Sequence, residues 1–127
     1  MRDFVTRLPN LRIALNLHAW GPLFIYPFNY LADESNSVLV EDYPSAFKFY
    51  DSLSQTVGLG PKWKVGNAMQ TIEYQANGEA SDWMLAELGI YALSVELGGG
   101  KRATQSFFIE DSDDLLELLI ENDSWIY

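Results

Sequence analysis

The chain has 127 residues, 48% of them hydrophobic, which is enough for one domain with a packed core. Its 18 acidic residues outnumber its 8 basic ones, and a formal net charge of -10 repels polyanions, so nucleic acid is not an expected partner. The absence of cysteine excludes disulfides and thiolate metal sites, and no apolar run approaches the roughly 20 residues that a membrane span requires.

The first part of the chain predicts a short helix and then a strand. Apolar residues at helical spacing over 1–8 are typical of the last turns of a helix, which the following proline ends. Ile13, Leu15 and Leu17 then alternate with smaller or polar residues, and this pattern predicts a buried strand over 11–17.

The only histidine of the chain, His18, follows that strand directly and precedes a turn that contains Gly21 and Pro22. In an open α/β sheet, side chains just past the carboxyl end of a strand line the crevice where ligands bind. His18 therefore lies where a functional residue is expected. A single histidine is, however, more often a structural residue than a ligand, so both interpretations stay open at this point.

The middle of the chain contains one clear helix between less regular segments. Residues 23–30 form an aromatic-rich stretch that is interpreted as an extended loop, and the polar residues 32–40 predict a surface connection. An apolar face behind an initial proline predicts a helix over 44–57. Residues 62–78 show no sustained period and predict a long loop, and long ordered loops are usually functional.

The last third predicts a helix, a strand and a second helix. Ser81 is a plausible N-cap with Asp82 in the first turn, and this helix should end at Gly89. Residues 91–97 alternate as a strand does, and residues 112–121 carry a capped apolar stripe typical of a helix. The two predicted strands are expected to be parallel neighbours, with the helices 44–57 and 112–121 packed on the sheet.

Three side chains are candidates for chemistry. His18 and Glu96 stand at two strand ends, and the loop between them presents Tyr74. A neutral imidazole is a common zinc ligand, and a carboxylate beside an activated water can be a general base. A catalytic zinc normally takes three protein ligands, yet the chain contains neither a second histidine nor an HxxE or HExxH motif. On the residues alone, Glu96 and Tyr74 are equally compatible with structural roles.

Three segments resemble one known family. The segment LHAWGPLFIYPFNY is similar to a segment that reads roughly HSYxxxxxYPYxY in zinc metallocarboxypeptidases of the carboxypeptidase A and B family. YQANGEASDW and GIYALSVELG are similar to the YxASGxSxDW and GIKYSFxxEL segments of the same family. The intervals within these segments also agree with that family, and several motifs in order make the resemblance strong.

The resemblance implies roles for five residues. His18 would be the third zinc ligand, and Glu96 the general base that activates the zinc-bound water. Tyr74 would be the mobile tyrosine that closes over the substrate's terminal residue. Ser81 would lie at the floor of the pocket for the terminal side chain, where an acidic residue favours basic substrates and a large apolar one favours apolar substrates. Trp20 stands in a subsite where the family usually has tyrosine.

The resemblance also implies a fold, the catalytic groups expected outside this chain, a partner and a location. The expected fold is α/β, part of a mixed, mostly parallel sheet with helices on both faces, and residues 1–127 would form a single partial domain. This would be the carboxyl-terminal half of the catalytic domain. The HxxE motif with the other two zinc ligands, the oxyanion arginine and the asparagine and arginine that hold the substrate carboxylate are expected upstream. The missing amino-terminal half, or a partner chain, is thus an expected partner, and secretion or a vacuolar or lysosomal location is favoured.

Three functional hypotheses follow. The first is a zinc-dependent exopeptidase that removes carboxy-terminal residues from peptides and proteins, with this chain alone inactive because the HxxE half is missing. The second is a non-catalytic relative in which the fold survives as a structural or binding subunit and His18, Tyr74 and Glu96 are relics. The third is an unrelated binding module whose tyrosines and tryptophans stack on sugars or peptides. The sequence upstream of Met1 would separate the first two.

Overall fold

The computed structural model describes residues 1–57 and 63–97, so the predicted helix 112–121 lies outside the described residues. The elements follow one another in the order α1 (Arg2–Val5), β1 (Ile13–Ala19), β2 (Leu23–Ile25), α2 (Ser37–Asp42), α3 (Pro44–Val57), β3 (Lys64–Gly66), α4 (Ala68–Thr71), α5 (Ala80–Leu88) and β4 (Tyr91–Leu97).

Within the described residues, four strands form one mixed sheet in the order β1-β4-β2-β3. Strand β1 is parallel to β4 and β2 is parallel to β3, whereas β2 and β4 are antiparallel. The predicted α/β class with a mostly parallel sheet is therefore confirmed. The predicted pairing of the two longest strands is also confirmed, and its register sets His18 opposite Glu96.

The central strand β4 divides the core between its two faces. Leu93 and Val95 are buried in the larger apolar cluster, together with Tyr50 of α3. Ala92 points to the other face and belongs to a smaller cluster with Met84 of α5. Because successive strand residues point to opposite faces, this alternation places helices on both sides of the sheet.

Helix α3 begins at Pro44. Proline is well tolerated there, because the amide groups of the first helical turn have no hydrogen-bond partner within the helix. Ala46 and Tyr50 are buried four residues apart on the face that meets the sheet. The Tyr50 hydroxyl donates a hydrogen bond of 3.0 Å to the backbone carbonyl of Ala92 and so ties the helix to β4. The helix predicted over 44–57 is confirmed with the same bounds.

Strand β1 lies at the edge of the sheet formed by the described residues, and its alternating apolar side chains are not buried as predicted. Ile13, Leu15 and Leu17 are 50%, 48% and 58% exposed. The large cluster under α3 takes its buried strand residues from β2 and β4 and includes no residue of β1, so this side of β1 has no helix over it in the described part of the chain. The alternation identified the strand correctly, but the burial of its apolar face was wrong.

Two segments interpreted as irregular contain regular structure. Residues 23–30 include β2, and Phe24, Ile25, Tyr26 and Phe28 of this stretch are buried in the core. The segment predicted as a loop over 62–78 includes β3 and α4. Both strands have only three residues, too few for an alternating pattern to be seen in the sequence.

The second segment contains a helix N-cap that its lack of a sustained period did not reveal. Asn67 is a helix N-cap, since its side chain accepts a hydrogen bond from the amide of Gln70 while the Gln70 side chain bonds back to the Asn67 amide. This reciprocal capping box begins α4, and Asn67 is buried. A residue that resembles a chain breaker here starts a helix.

The remaining boundaries differ in detail. Helix α1 has only four residues and no side-chain cap, which is shorter than the pattern over 1–8 predicted. The expected surface connection over 32–40 contains the start of α2. The N-cap of α5 is Glu79 rather than Ser81, which lies inside the helix, and the predicted end at Gly89 is confirmed by its left-handed conformation, φ 64°.

The bond between Tyr50 and Ala92 predicts a specific loss of stability. Tyr50→Phe removes the hydroxyl but keeps the buried ring, so the free energy of unfolding should fall by about 1 kcal/mol. Tyr50→Ala also removes the ring and should cost about 3 to 5 kcal/mol. Urea unfolding followed by circular dichroism measures both. Lys48→Ala, an exposed change on the same helix, is the control, and equal stability of Tyr50→Phe and wild type would contradict a role for the bond.

Candidate active site

His18 and Glu96 lie beside each other at one edge of the sheet. They are paired residues of the parallel strands β1 and β4, and paired residues of neighbouring strands project from the same face. The His18 side chain is exposed, whereas Glu96 is half-buried. The structure thus brings together the two strand-end residues that the sequence singled out.

One oxygen of the Glu96 carboxylate has no hydrogen-bond partner in the part of the chain that the structure describes. Oε2 is buried and accepts no hydrogen bond from the described residues. Burial raises the pKa of Glu96, the neighbouring His18 lowers it, and the charge of Glu79 raises it further. Since buried polar atoms in folded proteins nearly always have a partner, this oxygen is a position where a water, an ion or a substrate group is expected to bind.

A second carboxylate lies on the same face of β4. Ser94 precedes Glu96 by two residues, and its hydroxyl donates a hydrogen bond of 2.8 Å to Oε2 of Glu79. Ser94 is buried and Glu79 is half-buried. Nothing in the local sequence pattern marks Glu79, because its contact joins the start of α5 to the middle of β4.

A buried aspartate and asparagine connect this region to the rest of the fold. The Asp82 carboxylate accepts hydrogen bonds from the backbone amides of Asn29 and Tyr30 and from the Asn29 side chain, at 2.9 to 3.2 Å. The Asn29 side-chain oxygen in turn accepts from the amide of Ala68 at 2.9 Å. Asn29 is fully buried and so joins the segment after β2 to α4 and α5.

The Asp82 carboxylate is held in an environment that disfavours its charge. Burial raises the pKa of Asp82 to about 6 and outweighs the amides of Asn29 and Tyr30, which lower it, while the charge of Glu79 raises it further. Sequence reasoning treated Asp82 only as a favourable first-turn residue. Its partner Asn29 had no sequence signal, since the two residues are more than fifty positions apart.

The other three predicted site residues are placed differently. Ser81 is 1% exposed, and its hydroxyl accepts a hydrogen bond of 3.3 Å from the Asn29 side chain. Tyr74 lies between α4 and α5 and is 63% exposed, and Trp20 follows β1 and is 39% exposed. Ser81 is therefore connected to the Asn29 and Asp82 pair, whereas the two aromatic side chains are accessible at the surface.

The described residues do not contain a complete metal site. No group of three or more histidine, aspartate or glutamate side chains that could hold a metal ion occurs among residues 1–57 and 63–97. One exposed imidazole beside a carboxylate with a free oxygen fits one part of a zinc site, whose other ligands would come from elsewhere. No helix in this part of the chain is long and apolar enough to cross a membrane.

A mixed, mostly parallel sheet with a histidine and a glutamate on neighbouring strand ends is the arrangement that the resemblance implied. Residues 1–118 match the zinc carboxypeptidase family, and the chain belongs to this family of metalloproteases.

Individual relatives agree with that assignment. The chain is 31% identical to carboxypeptidase A1 of Rattus norvegicus over 97 residues, which cover 75% of the chain and 22% of the relative. The same values apply to carboxypeptidase A1 of Mus musculus. Carboxypeptidase B of Astacus astacus is 30% identical over 93 residues, covering 69% of the chain and 28% of the relative. The chain therefore spans between a fifth and a third of the length of these relatives.

The raised pKa of Asp82 predicts a stability that falls as the pH increases. Because this pKa is about 6 in the folded protein and 3.8 ordinarily, the folded state binds more protons between these values than the unfolded state does. The free energy of unfolding should thus decrease across this window by up to about 3 kcal/mol, and this contribution should be constant below and above it.

Two measurements check this expectation. The carboxyl carbon resonance of Asp82 reports its titration directly, and urea unfolding at several pH values reports the stability. Asp42→Asn, a change at an exposed aspartate, should leave the Asp82 titration unaltered. A midpoint near 4 for Asp82 would show that its hydrogen bonds fully offset its burial and would contradict this expectation.

Proposed function

We propose that residues 1–127 are the carboxyl-terminal half of the catalytic domain of a zinc-dependent metallocarboxypeptidase, which hydrolyses the terminal residue from the carboxyl end of peptides and proteins. Family membership over residues 1–118 supports this proposal. The observation that carries it is the register of β1 and β4, which sets His18 opposite Glu96. A metal ligand and a general base must be this close to act on one water molecule.

Glu96 is the proposed general base. Its Oε2 is buried and has no partner among the described residues, so it can accept a hydrogen bond and then a proton from water. Partial burial raises the pKa of this carboxyl and so increases its affinity for that proton. A base that is partly desolvated holds the proton until it is transferred to the leaving amine.

His18 is the proposed zinc ligand from this chain. Its ring is exposed at the strand end, and zinc bound there with further ligands would polarise the scissile carbonyl and acidify water. The HxxE motif, the oxyanion arginine and the groups for the substrate carboxylate are expected in the upstream half of the domain.

The substrate-binding residues in this proposal are Tyr74, Trp20 and Ser81. Tyr74 and Trp20 are accessible aromatic side chains, and aromatic rings combine apolar contact with a polar end, as a peptide substrate requires. Ser81 lies deeper, where a terminal side chain would end. We propose that Tyr74 closes over the bound residue, since it lies on an exposed turn between α4 and α5.

The upstream half is also the proposed partner of the exposed strand. β1 is at the edge of the sheet, and Ile13, Leu15 and Leu17 are about half exposed. An uncovered edge with apolar side chains favours pairing with further polypeptide, either the rest of the domain or a partner chain. The alternative to an enzyme is a non-catalytic structural or binding subunit in which His18, Tyr74 and Glu96 are relics.

The two central residues predict separable defects in the full-length protein. Glu96→Gln should lower kcat by about a hundred- to ten-thousand-fold and keep the bound zinc, because it removes only proton transfer. His18→Ala should lose zinc as well as hydrolysis, since zinc would keep only its other ligands. Metal analysis after dialysis and hydrolysis of a blocked dipeptide measure both. Glu87→Gln, an exposed change on α5, is the control. Unaltered zinc content and activity in both variants would reject the proposed site.

The proposed closing tyrosine predicts a functional change without a structural one. Because Tyr74 is mostly exposed, Tyr74→Ala should alter the free energy of unfolding by less than about 0.5 kcal/mol. It should nevertheless lower kcat/KM at least about tenfold, since each lost contact to the bound residue weakens its hold. The neighbouring exposed change Glu73→Gln serves as the comparison. A Tyr74→Ala protein with wild-type kinetics would remove this residue from the site.

A further inference from the structure

The turn before α5 contains the only asparagine of the chain that is followed by glycine, the pair Asn77 and Gly78. Both residues are exposed, and they lie between the proposed closing residue Tyr74 and the first turn of α5. Gly78 has a φ of 81°, and no described residue other than its chain neighbours has an atom within 4 Å of where its β-carbon would stand. The turn thus leaves room for the Asn77 side chain to fold back onto the Gly78 amide.

The two groups that would react in this pair are not held by hydrogen bonds. Neither the Asn77 side chain nor the Gly78 amide nitrogen has a hydrogen-bond partner among residues 1–57 and 63–97. An amide nitrogen that donates no hydrogen bond is exposed to solvent base, and it becomes a nucleophile when it loses its proton. The carbon of the Asn77 side-chain amide is the electrophile within its reach, since attack closes a five-membered ring.

Asn36 is the matched case in which the same two groups are occupied. It also precedes a small residue, Ser37, but its side chain is buried, donates a hydrogen bond to the Tyr26 hydroxyl and accepts one from the Asn67 side chain. The backbone amide of Ser37 donates to the Asp33 carboxylate at 2.8 Å. Both the electrophile and the nucleophile are therefore restrained at this position, in contrast to the exposed turn before α5.

We propose that Asn77 is a site of spontaneous deamidation. The Gly78 nitrogen forms a bond to Cγ of Asn77, the side-chain nitrogen leaves as ammonia, and a cyclic imide results. Water then opens the ring at either carbonyl and gives aspartate or isoaspartate. The reaction consumes one water, releases one ammonia and requires no oxidant, reductant or enzyme. Both products carry a carboxylate that is charged at neutral pH, and isoaspartate also adds one methylene group to the backbone.

The added methylene group changes a turn that is anchored on both sides. Before the turn, the Ala76 amide donates a hydrogen bond of 2.9 Å to the carbonyl of Asn29. Behind it, the Glu79 side chain accepts the bond from Ser94. A longer backbone between these anchors displaces the turn and the adjoining segment that carries Tyr74. The expected loss of activity from this displacement rests on the proposed carboxypeptidase function.

The first test follows the chemistry by mass spectrometry of the full-length protein after warming. Wild type should exchange the Asn77 amide for a carboxyl group, and faster at mildly alkaline than at neutral pH, because the Gly78 amide must lose a proton. Labelling with an isoaspartate-specific methyltransferase should identify the isomer. Asn77→Gln keeps the side-chain amide but would have to close a six-membered ring, so it should lose nearly all of the modification. An Asn77 that stays intact, or that changes no faster than Asn36, would overturn the inference.

The second test relates the modification to hydrolysis of a blocked dipeptide by the zinc-loaded full-length protein. The kcat/KM of wild type should decline as the modified fraction increases, whereas Asn77→Gln warmed in parallel should retain its initial value. Unaltered kinetics in fully modified protein would reject the effect on Tyr74. If freshly prepared protein hydrolyses no peptide, the proposed function fails, and the mass and methylation measurements still decide whether Asn77 deamidates.

Discussion

The hydrogen bonds between Asn29 and Asp82 hold the candidate site together. They join a segment that follows β2 to the first turn of α5, and the Asn29 side chain extends the connection to α4. The position of α5 determines where Glu79 lies, and the pairing of β4 determines where Glu96 lies. A carboxylate buried this deeply disfavours folding at neutral pH, as its pKa of about 6 indicates. The buried Asp82 carboxylate thus lowers the stability of the folded protein, while its hydrogen bonds to Asn29 fix the position of α5.

Features with a local pattern were predictable from the sequence. The helix Pro44–Val57 has a long apolar face and a proline at its start, and the strand Tyr91–Leu97 has a strict alternation. These periods follow from the geometry of each element, so a single segment is sufficient to show them. The nearness of His18 and Glu96 followed from the expected parallel pairing, because parallel neighbours bring their carboxyl ends to the same edge of a sheet.

Features made by distant contacts were not predictable in this way. Glu79 and Ser94 are 15 residues apart, and Asn29 and Asp82 are 53 apart, so neither pair leaves a local trace. The same limit applies to the burial of β1, since its apolar alternation indicates a face but not what covers that face. Asn67 is a different case, because asparagine is common both in loops and at helix N-caps, and Gln70 three residues later was a local signal for the cap that the sequence interpretation did not use.

In the described residues β1 is an open sheet edge, and this edge makes the outcome of folding depend on protein concentration. Docking of a covering segment from the same polypeptide is a first-order event, whereas pairing of two β1 edges from separate molecules is second order. The fate of each newly made chain is therefore decided by a competition whose balance changes with concentration. Arg12, which is exposed directly before the strand, places a positive charge beside the edge and opposes parallel, in-register pairing with an identical copy. A low protein concentration and this single charge both favour docking within one polypeptide over pairing of two copies.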